Sequence, residues 1–239
     1  YKRQRSVQVP LDADARHDLD AMAAAVTDRT RLLIVCTPNN PTGPSVRADE
    51  LRAFLRSLPE DLLVVLDEAY LEFVVADDAP DALAIYREFP NVVVLRTFSK
   101  AYGLAGLRVG YALARPRITT ALRKAATPFG VSDMAQKAAI ASIAAFDELQ
   151  ERVVALVAER RRVVDALGEA GVDIPDTQAN FVWLPLGERA LEFAAFADEN
   201  GLVVRPFDGD GVRCTIAEVE ANDRLIDVVT RFYAGSVSY

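Results

Sequence analysis

Short apolar runs alternate along this chain with longer segments of helical period. "RLLIVC" (31–36), "LLVVLD" (62–67), "NVVVLR" (91–96) and "LRVGYALA" (107–114) are apolar at both alternating positions and rich in β-branched residues. Runs of that kind predict strands buried on both faces, as in an α/β sheet covered by helices. Between them, residues 18–26 and 47–58 read as helices, and in the second Leu51, Phe54, Leu55 and Leu58 share one face. Strand–helix–strand alternation predicts a mostly parallel sheet whose functional loops leave the carboxyl ends of its strands.

Past about residue 115 the pattern changes. Residues 131–171 predict one or two long helices, with Gly171 in the position that ends a helix. The remainder reads as a strand (180–184), a helix (188–199), strands at 202–206 and 211–217, and a closing helix from about 219 to 233. The expected architecture is α/β. A large domain (1–130), mostly a parallel sheet, is followed by linking helices and a smaller α+β domain (131–239).

Composition narrows the function classes. A net charge of −8 argues against a nucleic-acid or anionic-membrane surface, both of which need clustered positive charge. The basic run "ERRR" (159–162) reads as a solvated helix face. No apolar run is long enough to span a bilayer, and "YKRQRSVQVP" lacks the apolar core of a signal peptide. Cys36 and Cys214 lie in apolar strand-like segments and read as buried free thiols of a reducing cytoplasm. His17 is the sole histidine, which excludes histidine-based triads and multi-histidine metal sites; no metal site is expected.

Three of the predicted strands run into loops with polar residues that a strand end does not require. "TPNNPTG" (37–43) combines two prolines, a glycine and the amides of Asn39 and Asn40. "DEAYLEF" (67–73) places Asp67 where a buried strand emerges, a costly site for a carboxylate unless a cation meets it. "RTFSKAYGLAGLRVGY" (96–111) brings the hydroxyls of Thr97 and Ser99, the amine of Lys100, glycines at 103 and 106, and Arg108. Hydroxyls and a guanidinium beside a lysine suit a phosphate anchor next to a reactive amine. The spacing is not that of a Walker A loop. Each loop taken singly could be a turn, a helix cap or a salt bridge. Together they meet the requirements of pyridoxal phosphate: an anion for a pyridinium, a cradle for a phosphate and a lysine for an aldehyde.

The ordered set "NNPTG", "DEAYLEF" and "TFSKAYGLAGLRVGY", with "TQANFVWLPLG" (177–187) and "GVRCTIA" (211–217), resembles the fold-type I aminotransferases, in the branch holding histidinol-phosphate and aromatic amino acid (phenylalanine) aminotransferases. The resemblance implies that Lys100 carries the cofactor and shuttles the proton at the substrate α-carbon. By the same likeness Asp67 pairs with the pyridine nitrogen, Asn40 and Tyr70 bond the ring's phenolic oxygen, and Thr97, Ser99 and Arg108 hold the phosphate. Arg213 matches the arginine that grips the substrate α-carboxylate, with Arg205 a second candidate near the substrate. Trp183 and Phe181 read as core.

The resemblance also implies that the family's N-terminal third is missing here, and with it part of the phosphate cup and an aromatic ring stacked on the pyridine. Tyr1 lies close to that ring's place without being assigned its role. The family's homodimers imply a dimer in the cytoplasm, acting on an amino acid and a 2-oxo acid such as 2-oxoglutarate. Among substrates, "PFGVS" (128–132) favours an aromatic amino acid, with Phe129 suited to an apolar ring, over histidinol phosphate. A related decarboxylase and a non-catalytic ligand-binding domain are the other readings.

Overall fold

β1 (Leu32–Cys36), β2 (Leu63–Asp67) and β3 (Val92–Thr97) run parallel, and β4 (Gly110–Leu113) completes the order β1-β2-β3-β4 antiparallel to β3. The computed structural model describes residues 4–235, so Tyr1 lies outside the described residues. Cys36 pairs with Asp67 and Asp67 with Leu95, so the carboxyl ends of the three parallel strands lie side by side. The three polar loops therefore leave the sheet together.

One face of the sheet is dry. Leu33, Val35, Val64, Leu66, Val92 and Val94 pack there against α1 (Leu19–Ala24), α2 (Ala48–Ser57) and α3 (Ala82–Glu88), chiefly through Leu51, Phe54, Leu55 and Ile85. The expectation of strands buried on both faces holds only in part. Val65 and Val93 are buried on the far side, but Leu32 and Ile34 of β1 are 48% and 53% exposed. The helices of this chain cover β1 from one side only, and an apolar run does not record which side.

Helix ends follow local chemistry. Asp18 caps α1 by accepting from Ala21 N, and Asp81 caps α3 by accepting from Leu83 N and Ala84 N. α3 and α4 (Pro116–Ala125) lie where the periodicity reading assigns no element. α3 is too short to establish a period, and α4 buries none of its residues.

The 131–171 segment resolves into α5 (Asp133–Ala144) and α6 (Phe146–Glu169), broken at Ala145. Gly171 ends α6 at φ +78°, with its N–H on Gly168 O and that of Val172 on Leu167 O. This is the paired bonding that satisfies the last carbonyls of a helix. β5 (Phe181–Leu184), β6 (Arg205–Phe207) and β7 (Gly211–Thr215) then form an antiparallel sheet in the order β5-β7-β6. Val182, Leu184, Val212 and Cys214 of this sheet pack with Val163 and Leu167 of α6, with α7 (Ala190–Glu199) and with α8 (Val219–Gly235).

A third cluster joins the two sheets. Tyr70 and Phe73 pack with Leu149 and Val153 of α6 and with Ala179 and Phe181. Here the reading of "ERRR" is corrected. Arg161 and Arg162 are exposed, but Arg160 is only 4% exposed and donates to Phe73 O (3.0 Å) and Ala179 O (2.8 Å). One arginine of the run turns inward because the carbonyls of two approaching segments need a donor. Among the described residues, no helix is long and apolar enough to cross a membrane, and no cluster of potential metal ligands occurs.

Candidate active site

The loop after β1 is held rigidly from several sides. Asn39 N donates to Pro44 O (2.8 Å), Gly43 N to Asn39 O (2.8 Å), and Asn39 Nδ2 to Thr42 Oγ1 (2.8 Å). Thr42 in turn donates to Ala15 O (2.8 Å), tying the loop to the turn before α1. The Thr37–Pro38 and Asn40–Pro41 peptides are both cis. Gly43 sits at φ +102°, and a Cβ there would lie 2.5 Å from Thr177 Oγ1, so glycine is required twice over. Its carbonyl accepts from Gln178 N (2.9 Å), and Gln178 Oε1 accepts from Val75 N and Ala76 N. "TQAN" thus stitches the C-terminal half to the loops after β1 and β2. That joint is invisible in the sequence, since each half of it is local chemistry elsewhere in the chain.

Asn39 faces inward and is buried, whereas Asn40 is exposed with its side chain directed at the other half. Arg213 Nη1 donates to Asn40 Oδ1 at 2.7 Å. Val212 and Cys214 are buried, so Arg213 projects from the opposite face of β7. Its Nε is buried with no hydrogen-bond partner among the described residues. Arg205 is the cross-strand neighbour of Arg213, exposed, and 5.7 Å from the Phe207 ring centroid.

Asp67 ends β2 half-buried. Among the described residues its carboxylate accepts one hydrogen bond, from Ala69 N (3.1 Å). Burial raises its carboxyl above the usual carboxylate value, against that single bond. Tyr70 is buried, its ring edge-on to Phe181 (centroids 5.2 Å apart), and burial raises its phenol. Lys100 Nζ lies 5.2 Å from the Tyr70 centroid, and the Arg213 guanidinium lies 5.2 Å from the Phe181 centroid. Lys100, Tyr70, Phe181 and Arg213 therefore form one column across the seam. The Lys100 amine is lowered by partial desolvation and then by the positive charges of Arg213 and Arg108.

The remaining predicted residues share the loop after β3. Thr97 Oγ1 accepts from Ser99 N (3.0 Å), Gly103 N donates to Lys100 O (3.0 Å), and Leu104 N donates to Phe98 O (2.8 Å). Arg108 sits in the left-handed region (φ 53°) with Nη1 on Ala105 O (2.8 Å). Trp183 and Phe181 are core, as read. Phe129 is 102% exposed at φ +58° in the loop between α4 and α5.

Comparison with known proteins decides what this arrangement belongs to. The family described as "Aminotransferase class I and II" matches residues 2–229. The chain belongs to the class I and II aminotransferases. Among curated relatives, this aminotransferase chain is 63% identical over 227 residues to an aromatic amino acid aminotransferase of Streptomyces avermitilis, covering 95% of the chain and 63% of that relative. It is 61% identical over 228 residues to an aromatic amino acid aminotransferase of Streptomyces coelicolor, covering 95% of the chain and 64% of the relative. The chain thus spans a little under two thirds of their length. A histidinol-phosphate aminotransferase from Sinorhizobium meliloti, solved in complex with pyridoxal-5'-phosphate, superposes with a TM-score of 0.85 at 33% identity. That match covers 98% of this chain and 65% of the other.

Proposed function

We propose that the protein is a pyridoxal phosphate-dependent aminotransferase that moves the amino group between an aromatic amino acid, phenylalanine or tyrosine, and a 2-oxo acid such as 2-oxoglutarate. The observation that carries this is a complementary set of unmet needs at the same strand ends. Among the described residues Asp67 is a carboxylate without a cation and Arg213 holds a buried Nε without an acceptor, while Lys100 is an amine lowered towards its neutral, nucleophilic form. The residues present fit the cofactor. Asp67 would pair with the ring nitrogen, Thr97, Ser99 and Arg108 would hold the phosphate, and Asn40 and Tyr70 would flank the phenolic oxygen.

Bound there, pyridoxal phosphate supplies an electron sink conjugated to the substrate α-carbon. The chain's own residues do the rest. Arg213 binds the α-carboxylate by two parallel N–H bonds, which fixes orientation as well as affinity, and Asn40 holds the guanidinium in place for it. Lys100 takes the α-proton and returns it at the other end of the transfer, as a general base and acid made less basic by partial desolvation and by the charges of Arg213 and Arg108. Tyr70 and Phe181 stand between Lys100 and Arg213, one ring under the amine and the other under the guanidinium.

The choice of an aromatic substrate rests on the relatives at 63% and 61% identity, whose names specify aromatic amino acids. We also read the chain as a large domain (1–130) and a small one (131–239), supported by the two separate sheets and their cores. A homodimer in the cytoplasm completes the reading, supported for the compartment by free thiols at Cys36 and Cys214.

The test is a single-turnover half reaction. The full-length gene product, loaded with pyridoxal phosphate, is mixed separately with phenylalanine, tyrosine and histidinol phosphate while the visible band is followed. Rapid bleaching by the aromatic amino acids is the expected result. Preference for histidinol phosphate would move the protein to that substrate, release of carbon dioxide without a 2-oxo acid would make it a decarboxylase, and no visible band would remove the cofactor from the reading.

A further inference from the structure

Glu68 follows Asp67 directly, yet it is among the most deeply buried charged side chains in the structure, 2% exposed. A buried carboxylate is costly unless a cation and hydrogen bonds meet it. Glu68 Oε2 accepts from Arg96 Nε at 2.9 Å, and the Arg96 side chain is itself only 18% exposed. The placement of this pair is what gives it meaning. Glu68 is one residue past Asp67, and Arg96 one residue before Thr97. Side chains alternate along a strand, so Glu68 and Arg96 project from the face opposite Asp67 and Thr97.

The backbone closes the same joint. Glu68 N donates to Leu95 O (3.0 Å), and Thr37 N donates to Asp67 O (2.9 Å). Arg96 is the cross-strand neighbour of Tyr111, and Thr97 is that of Gly110. A Cβ at Gly110 would lie 2.7 Å from Arg96 O, so β4 lies against this point without room to spare. Glu72 and Asp81 add negative charge around Glu68, and among the described residues Arg96 is the one cation acting on it. Arg96 thus holds the underside of two strand ends whose upper sides carry the carboxylate and the lysine loop.

Resting on the cofactor reading above, we propose that Glu68 and Arg96 are positioning residues: their ion pair clamps the ends of β2 and β3 and so sets the separation of Asp67 from Thr97, Ser99 and Lys100. Buried ion pairs are weak sources of stability compared with apolar replacements, and fixing geometry is the role left to this one.

The test uses the full-length gene product loaded with pyridoxal phosphate and no substrate. The readouts are the pH midpoint at which the visible band of the bound cofactor changes and, separately, Tm. Glu68→Gln keeps the side-chain shape and removes its charge. A paired replacement, Glu68→Leu with Arg96→Met, removes both charges together, leaves the net charge unchanged and restores apolar packing. If the pair positions the site, the paired replacement keeps a near-parental Tm while its midpoint moves by about 0.5 pH unit or more, roughly a threefold change in the proton equilibrium. Loss of the visible band at a native Tm would support the proposal equally. A midpoint within about 0.1 unit of the parent in the paired replacement would overturn it, whatever Glu68→Gln does through its charge alone. No visible band in the parent would instead overturn the cofactor reading, and the clamp's purpose with it.

Discussion

Arg213 Nη1 donates to Asn40 Oδ1 at 2.7 Å, linking β7 of the second sheet to the loop that leaves β1 of the first. The contact orients a guanidinium whose Nε is buried and has no hydrogen-bond partner among the described residues. An arginine held this way presents a fixed fork, which a lysine cannot reproduce. Arg213→Lys should therefore lower kcat/KM for the amino acid by about 100-fold, roughly 2.7 kcal/mol, with most of the loss in KM. Steady-state kinetics with phenylalanine check it, and an unchanged KM would place the carboxylate elsewhere.

Lys100 is one of four lysines in the sequence and stands at the end of the column that runs through Tyr70 and Phe181 to Arg213. Borohydride reduction of the loaded protein should fix the cofactor to Lys100, as a mass adduct on the peptide containing that residue. Lys100→Ala should leave no adduct and reduce turnover by at least ~10³-fold, within the range for loss of a proton-transferring group. An adduct on Lys124 or Lys137 would refute the assignment.

Asp67 makes a prediction about stability as well as activity. Burial raises its carboxyl in the folded, cofactor-free protein, so the folded state binds the proton more tightly than the unfolded state. Stability from this group is then greatest at low pH and falls as pH rises from the unfolded value near ~4 towards the raised one. Asp67→Asn removes that penalty. In the cofactor-free protein at pH 7 it should raise Tm by about 2–4 °C, the shift that ~1 kcal/mol produces at this size, while weakening cofactor binding. The gain should vanish below pH ~4, where both states are protonated. Thermal denaturation at the two pH values is the measurement.

Arg160 carries a prediction about the seam. Its guanidinium serves Phe73 O and Ala179 O from inside the structure, where burial lowers its pKa. Arg160→Met would keep much of the stem and leave two carbonyls unserved, at a cost of about 2–4 kcal/mol. Arg161→Met, one residue on and exposed, should change stability by less than ~0.5 kcal/mol. Urea unfolding of the two variants side by side gives the comparison.

The legible residues were those whose chemistry is out of keeping with a strand end. Lys100, Asp67 and Arg213 stand beside apolar runs that predict buried strands, and a charge in that place needs a reason. The strands and most helices were legible for a related cause, because period and length agreed. What stayed hidden depended on partners far along the chain. Arg160 and Arg161 are neighbours of the same type, and only the approach of Phe73 and Ala179 separates a buried donor from a solvated charge. Glu68 reads as part of a motif, and its pairing with Arg96 exists only once β2 and β3 are side by side. Leu32 and Ile34 look like core because hydrophobicity records what could be covered, not what is.

The stitch of Gly43, Thr177 and Gln178, together with Arg160, also bears on what a broken chain would do. The loop at 126–132 is exposed, and it is an open target for a protease. A cut there severs the covalent path between the two sheets and leaves the stitch intact. The two fragments would stay associated and copurify, parting only under denaturant, so a single native peak would conceal the nick that a denaturing gel reveals.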